Sequence, residues 1–282
     1  MSRITLGLLG TLLSSACAYD SPPEAQLTTQ ALTTSEWMVS LRTDNGRYLT
    51  NEIDGGGTWI SADRTAVAAW ERWVLFDLNG APLRSGDAIQ LRYVSRDGTS
   101  RYLVADMNGG GPGSVAQGNR SEPREWETFI IERVGGGAIA DGASIHLKSS
   151  VRPYYVCAEG GGGRAGYGSV VVDRPNALAW ETFTLEVIQP QDVCPFTGTL
   201  CLFERPNFDG ERFTVQALDP DGGACIDLPQ HGWGARARSA ANTNDRGATI
   251  LPNADCTGHP IGIAAGALEP TLPLQPNAAF VF

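Results

Sequence analysis

The sequence predicts an all-β protein in which three similar repeats are followed by a smaller, disulfide-bonded region. The chain of 282 residues contains 34 glycines and 17 prolines. Long stretches of helical hydrophobic periodicity are scarce, so strands separated by turns are expected. A Trp-Glu-x-aromatic motif occurs three times, and four of the six cysteines lie after residue 188.

Each repeat contains the same features in the same order. The motif is WERW at 70–73 and WETF at 126–129 and 180–183. An Asp/Asn-Arg pair precedes each motif at a fixed distance, and a glycine run and a tyrosine precede the pair. The pairs are Asp63-Arg64, Asn119-Arg120 and Asp173-Arg174, the glycine runs are 55–57, 109–111 and 160–163, and the tyrosines are Tyr48, Tyr102 and Tyr155. An alternating apolar strand opens each repeat.

A unit of this size cannot bury its own apolar face, whereas three such units closing on one another can. The repeats therefore predict a β-trefoil over residues 35–188. The stretch YVCAEGGGG from Tyr155 and the stretch DRPNALAWETF ending at Phe183 resemble the repeat of fascin-like, actin-crosslinking-type trefoils. Similar trefoils accompany glycoside hydrolases in bacteria and plants. For an exported chain, the resemblance thus implies binding of a polysaccharide or glycan rather than of actin.

Two interpretations apply to the repeated residues. Trp70, Trp126 and Trp180 could stack on sugars, but a core position is favoured because aromatic residues dominate core packing. The pairs could bind sugar hydroxyls or brace turns, and bracing is favoured. The candidate glycan-binding residues are Asp63, Arg64, Asn119, Arg120, Asp173 and Arg174. Cys157 is expected to be a buried free thiol.

The region 189–282 contains Cys194, Cys201, Cys225 and Cys256. Four cysteines in a small exported region indicate a disulfide framework. Three pairings are open, and Cys194–Cys201 with Cys225–Cys256 is preferred. A zinc site is not expected, because there is no C-x-x-C motif and the histidines are isolated.

An aromatic-x4-aromatic-x-Gly pattern runs from Phe203 through Phe208 to Gly210, and Leu251, Cys256 and Gly258 occupy the same spacing. The pattern matches the βγ-crystallin Greek key and predicts a Greek-key sandwich. Residues 189–282 resemble a bacterial metalloprotease-inhibitor family built on this fold. That resemblance implies an inhibitory loop at Cys256, Thr257 and Gly258, although no second cysteine follows closely to clamp it. The acidic or amide pair of crystallin calcium sites is missing at 234–239, so no metal is expected.

The N-terminal residues 1–17 read as an export signal with a short apolar run at Ile4–Leu13. Cys17 fits a lipidation site, and secretory cleavage near Ala16 or Ala18 is the alternative. Residues 18–34 have no hydrophobic period and are expected to be a flexible linker. The protein is therefore expected to leave a bacterial cell, either secreted or lipid-anchored to the envelope.

The net charge of −10 argues against nucleic-acid binding and against electrostatic membrane binding. No metalloprotease or nucleophile-elbow motif occurs, so neither an enzyme nor a cofactor is predicted. Three hypotheses follow: a carbohydrate- or surface-binding protein acting through the trefoil, a metalloprotease inhibitor acting through the C-terminal region, and a structural envelope or matrix protein.

Overall fold

The computed structural model describes Leu32, residues 34–217 and residues 223–282. The predicted export signal, Cys17 and nearly all of the linker lie outside the described residues. The first twelve strands are β1 (Glu36–Thr43), β2 (Tyr48–Asn51), β3 (Ile60–Arg64), β4 (Trp73–Asp77), β5 (Ala88–Val94), β6 (Ser100–Ala105), β7 (Ala116–Arg120), β8 (Thr128–Arg133), β9 (Ser144–Ser149), β10 (Tyr155–Ala158), β11 (Val170–Arg174) and β12 (Phe183–Val187). A short helical segment, α1 (Asp106–Gly109), follows β6.

These twelve strands form a β-trefoil, as the repeats predicted. Strands β1, β4, β5, β8, β9 and β12 pair in that order, and β12 pairs again with β1, so that the antiparallel ring closes. The hairpins β2–β3, β6–β7 and β10–β11 carry the remaining strands. The hairpins meet one another through bridges that join Trp59 to Gln117 and Val115 to Val171.

Alternation along the ring strands places every second side chain in the trefoil core. The paired positions that open the repeats are fully buried: Val39 and Leu41, Ile89 and Leu91, and Ile145 and Leu147. At Gly118, where two hairpins approach each other, there is no room for a side chain. A Cβ added to Gly118 would lie 2.3 Å from Nδ2 of Asn51, whose amide donates to the Gly118 carbonyl at 3.2 Å.

The prediction that the first Trp of each motif lies in the core was wrong. Trp180 is 45% exposed, Trp126 is partly exposed, and Trp70 is only partly buried against the edge of the core. The core residue is instead the last aromatic of the motif, which is the first or second residue of a ring strand and which alternation directs inward. These residues are Trp73, Phe129 and Phe183, each with no exposed surface.

The remaining strands form a two-sheet sandwich, which confirms the predicted Greek-key fold class. They are β13 (Leu200–Arg205), β14 (Asp209–Val215), β15 (Ala224–Asp227), β16 (Ser239–Asn242), β17 (Ala248–Leu251), β18 (Ile261–Ile263), β19 (Leu268–Glu269) and β20 (Ala278–Val281); the helix α2 (Pro190–Val193) precedes them. The sheets run β14-β13-β16-β19 and β15-β20-β17-β18. The first Greek key consists of β13–β16 and the second of β17–β20, and the third strand of each key, β15 or β19, lies in the other sheet. The two sheets enclose a core that includes Leu202, Trp233 and Ile250.

The cysteines pair as Cys194–Cys201 and Cys225–Cys256. Of the three pairings that the sequence left open, this is the one that was preferred. Cys157 is a buried free thiol on β10. Burial, followed by the nearby Glu181 carboxylate, raises the pKa of this thiol. The thiol is therefore held in its unreactive protonated form.

An apolar cluster joins the trefoil to the sandwich. Met38 and Val74 contribute from the outer face of the ring, and Phe203 and Phe208 contribute from the first Greek key. In the third repeat the residue equivalent to Val74 is Thr184, a polar residue at a position where no apolar contact with the sandwich is needed. Met38 and Val74 thus make part of the outer face of the first repeat apolar.

Polar contacts at the same interface centre on Arg72. Its guanidinium donates to the carbonyls of Asn207 at 3.0 Å and Phe208 at 3.4 Å. The Asn207 amide donates in return to the Ala69 and Arg72 carbonyls. Burial lowers the pKa of Arg72, and these carbonyls supply the acceptors that a buried cation requires.

Candidate binding sites

Each trefoil motif forms one short 3-10 turn that begins just before its first Trp. The turns are Ala69–Glu71, Glu125–Glu127 and Ala179–Glu181. The glutamate is buried in all three repeats and accepts a hydrogen bond at 2.8 Å from the backbone N–H three residues earlier. For Glu71, burial raises the carboxyl pKa. The glutamate fixes the turn, and the turn leaves the Trp at the surface.

In the second repeat, Trp126 lines an open cleft of about 970 Å³. Polar side chains line the same cleft, among them Gln90 and Thr128, whose amide and hydroxyl lie 3.3 Å apart. Ser150 closes another side and donates to the Glu125 carbonyl at 3.1 Å. An aromatic face beside hydroxyl and amide groups is the combination that small polar ligands with apolar faces require.

The third repeat has a smaller cleft at the equivalent place, beside Trp180. Leu178, with 72% of its surface exposed, and Pro175 make this cleft more apolar. Asn176 and Arg174 are the polar side chains that line it together with the buried Glu181. Two repeats therefore present a surface Trp in a concave setting.

In the first repeat, the sandwich covers the equivalent surface. In repeat 2 the carbonyls of Glu125 and Thr128 accept from the hydroxyl and backbone N–H of Ser150. The matching carbonyls of repeat 1, at Ala69 and Arg72, accept from the amide of Asn207. The turn 206–208 of the first Greek key thus lies against the motif of repeat 1.

The Asp/Asn-Arg pairs differ among the repeats. Arg64 forms an ion pair with Asp63 at 2.8 Å and with Glu52 at 3.3 Å. Arg174 forms ion pairs with Asp173 and Glu159. Both arginines are therefore engaged inside the trefoil, as a bracing role requires.

The pair of repeat 2 is not an ion pair. The Asn119 amide donates to Gln117 at 2.7 Å, and Arg120 lines the cleft of Trp126. The sequence predicted Arg120 and Arg174 as candidate glycan-binding residues. It did not indicate Gln90, Ser150 and Leu178, which line the same clefts. Their positions carry no repeated motif, so only the fold brings them together.

The predicted inhibitory residues lie in the loop 252–260 between β17 and β18. Its exposed residues include Asn253, Asp255, Thr257 and His259. The Thr257 hydroxyl donates to Asp255 at 2.6 Å and accepts from the Asn253 amide at 3.0 Å. This hydroxyl holds the pKa of Asp255 below its ordinary value, so the carboxylate stays an acceptor in mildly acidic solution.

The loop is also fixed to the sandwich beneath it. The Cys225–Cys256 disulfide attaches it to β15, and the Asn277 amide donates to the Pro252 carbonyl at 2.8 Å. Gly258 has φ +98°, and an added Cβ would lie 2.6 Å from the Pro252 ring. A disulfide to β15 and a tight turn thus replace the nearby second cysteine that the sequence lacks.

The corresponding turn of the first Greek key has the same backbone pattern. Phe208 and Gly210 have φ of 60° and 81°, and Cys256 and Gly258 have φ of 58° and 98°. The first turn lies against the trefoil, whereas the second is exposed to solvent. The two keys therefore place equivalent turns in opposite settings.

Within the described ranges, no group of three or more His, Cys, Asp and Glu side chains is arranged to hold a metal ion. Over the same part of the chain, no helix is both long and apolar enough to cross a bilayer.

Residues 189–263 match the model of peptidase inhibitor family I36, which spans less than half of the chain. Among curated proteins no sequence relative matches.

Similar solved structures each cover a little over half of the chain. They include an SDF2-like protein from Arabidopsis thaliana (10% identity, 55% of this chain and 94% of that one, TM-score 0.44). They also include the designed threefold-symmetric protein ThreeFoil (14%, 54% and 99%, TM-score 0.42) and a Caenorhabditis elegans protein of unknown function (14%, 56% and 97%, TM-score 0.43).

Proposed function

We propose that this is an exported, non-enzymatic carbohydrate-binding protein that binds glycans through the clefts of trefoil repeats 2 and 3. The observation that carries the proposal is the surface position of Trp126 and Trp180, each in a cleft at the same point of its repeat. A scaffold would place these rings in the core, where they would add packing energy. The resemblance of the repeats to fascin-like trefoils that accompany glycoside hydrolases supports the same class of ligand.

The stacking surface can be removed without disturbing the core. We expect Trp126→Ala and Trp180→Ala each to weaken binding to a retained polysaccharide about tenfold, since one aromatic contact contributes about 1 kcal/mol beyond buried area. The measurement is retention on cellulose, chitin, xylan and peptidoglycan, followed by a glycan array. Tyr167→Ala is the matched control, because Tyr167 is 66% exposed and lines neither cleft. If no polysaccharide retains the unaltered protein, or if all three variants bind equally well, the proposal fails.

We infer a second function for the sandwich, which is inhibition of an extracellular metallopeptidase through the loop 252–260. The match of residues 189–263 to a peptidase inhibitor family favours it, as does the fixed, exposed loop. A substrate-like loop inhibits when it is held in one conformation, because less freedom is then lost on binding. Export, in secreted or lipid-anchored form from a bacterial cell, would place both functions in the same compartment, and the two disulfides suit that compartment.

The loop proposal predicts a loss of potency when the Thr257 hydrogen bonds are removed. Thr257→Ala abolishes the bonds to Asp255 and Asn253, and each such bond contributes about 1 kcal/mol. We expect the inhibition constant against a thermolysin-type peptidase to rise at least tenfold. Thr271→Ala, an exposed threonine of the same sandwich, should leave it unchanged. Unaffected turnover in the presence of micromolar unaltered protein would reject the inhibitor proposal.

A further inference from the structure

Arg120 differs from its two equivalents in the trefoil. Arg64 contacts two carboxylates of its own repeat, and Arg174 contacts three. Arg120 is exposed, and within the described residues its guanidinium makes neither an ion pair nor a hydrogen bond. The guanidinium of repeat 2 therefore has its donors available where the other two do not.

Two substitutions within repeat 2 explain this difference. The first is Asn119, which stands where the other repeats have Asp63 and Asp173. The second is Asp106, which stands where they have Glu52 and Glu159. Asp106 is one methylene shorter and accepts a hydrogen bond from Gln117 at 2.7 Å. Both carboxylates that would hold the arginine are thus absent or engaged elsewhere.

The unpaired guanidinium belongs to the same cleft as Trp126. The cleft also contains Arg124, Glu122 and Glu125, and Arg124 lies 3.9 Å from Glu122. The remaining charges are Arg120 and the carboxylates of Glu125 and Glu127. Glu127 is buried and accepts from the Arg124 backbone N–H. The cleft as a whole is therefore not a cationic surface. A single anionic group placed against Arg120 suits it better than a polyanion that lies across the whole cleft.

We propose that the cleft of repeat 2 binds an anionic sugar residue, a uronate, with its carboxylate on Arg120 and its ring on Trp126. A guanidinium presents two parallel donors that match a carboxylate, and the Trp face matches the apolar side of a sugar ring. The inference rests on the proposed carbohydrate binding and adds the charge of the ligand. The third repeat, with Arg174 engaged and Leu178 exposed, takes a neutral sugar.

Affinity electrophoresis of the full protein in native gels tests this. The gels contain polygalacturonate, alginate or hyaluronate, with fully methyl-esterified pectin as the uncharged counterpart of the first. We expect retardation by at least one polyuronate and weaker retardation by the ester. Arg120→Gln should weaken polyuronate binding about tenfold and leave binding to the ester unchanged. Arg164→Gln removes the same charge from an exposed site outside the cleft and should change neither.

A second variant restores the clamp of the other repeats. Asn119→Asp supplies the missing carboxylate, and Asp106→Glu gives the second carboxylate the length that it has in the other repeats. We expect the combined variant to reproduce the loss seen in Arg120→Gln while Arg120 and Trp126 remain. Dextran sulfate, compared with dextran, distinguishes a sulfate from a carboxylate, and retardation by the sulfate alone would overturn the uronate assignment. So would the absence of any retardation by the polyuronates, or equal retardation of Arg120→Gln and the unaltered protein. If neutral polysaccharides are still bound through Trp180 in that case, the proposed function stands without the inference.

Discussion

Replacing Phe129 by alanine is expected to lower the free energy of unfolding by about 3–5 kcal/mol, the range for a fully buried phenylalanine. Phe129 has no exposed surface and belongs to the core that includes Leu91 and Leu147. Truncation leaves a cavity that three converging repeats cannot easily close. Scanning calorimetry and urea unfolding of the full protein measure the effect.

Trp126→Ala, three residues earlier in the same motif, is the matched comparison. Because the Trp126 ring lines an open cleft, its removal is expected to cost less than about 1 kcal/mol. The pair of variants thus separates the part of the motif that folds the trefoil from the part that faces a ligand. Comparable destabilisation by both substitutions would contradict the assignment of Trp126 to a surface role.

The second large effect is expected from the Cys225–Cys256 disulfide. Replacing both cysteines by serine opens a loop of 31 residues, for which chain entropy gives a loss of about 3–4 kcal/mol. It also detaches the loop 252–260 from β15. We therefore expect both a lower unfolding temperature of the sandwich and a loss of peptidase inhibition, measured on the same preparation.

The shorter disulfide is the control. Cys194 and Cys201 are 7 residues apart, so their removal is expected to cost about 2–2.5 kcal/mol and to leave the inhibitory loop attached. If the two double variants lose inhibition equally at a temperature where both are folded, the loop is not the inhibitory element. If neither loses any stability, the disulfides do not stabilise the sandwich.

The fold could be predicted because its signals are local. The repeat spacing, the turn residues and the Phe203–Phe208–Gly210 pattern each specify a backbone arrangement that depends on a few neighbouring residues. The core position was assigned to the Trp at the start of the motif because its side chain is larger. Alternation could have shown that Phe129 lies inward instead. Phe129 and Ile131 are two residues apart and both fully buried, so alternation along the strand gives the correct face.

Other features depend on contacts that no repeated pattern encodes. The apolar residues Met38 and Val74 look like ordinary strand residues, and only the position of the sandwich shows that they lie at an interface. The cleft of repeat 2 is lined by residues from different repeats, so its composition depends on how the repeats pair with one another. The loss of the ion pair at Arg120 was visible in the sequence as Asn119 in place of aspartate, but its meaning required the position of Asp106.

The interface around Arg72 has a practical consequence for anyone who divides this chain. A trefoil produced without the sandwich would expose Met38, Val74 and Phe76 to water beside an unsatisfied guanidinium. Contiguous apolar surface of this kind promotes self-association and precipitation. The chain with both parts intact is therefore the appropriate material for crystallisation, immobilisation and fusion to other proteins. A soluble trefoil fragment would require polar residues on the outer face of β1 and β4, such as those that the third repeat already has.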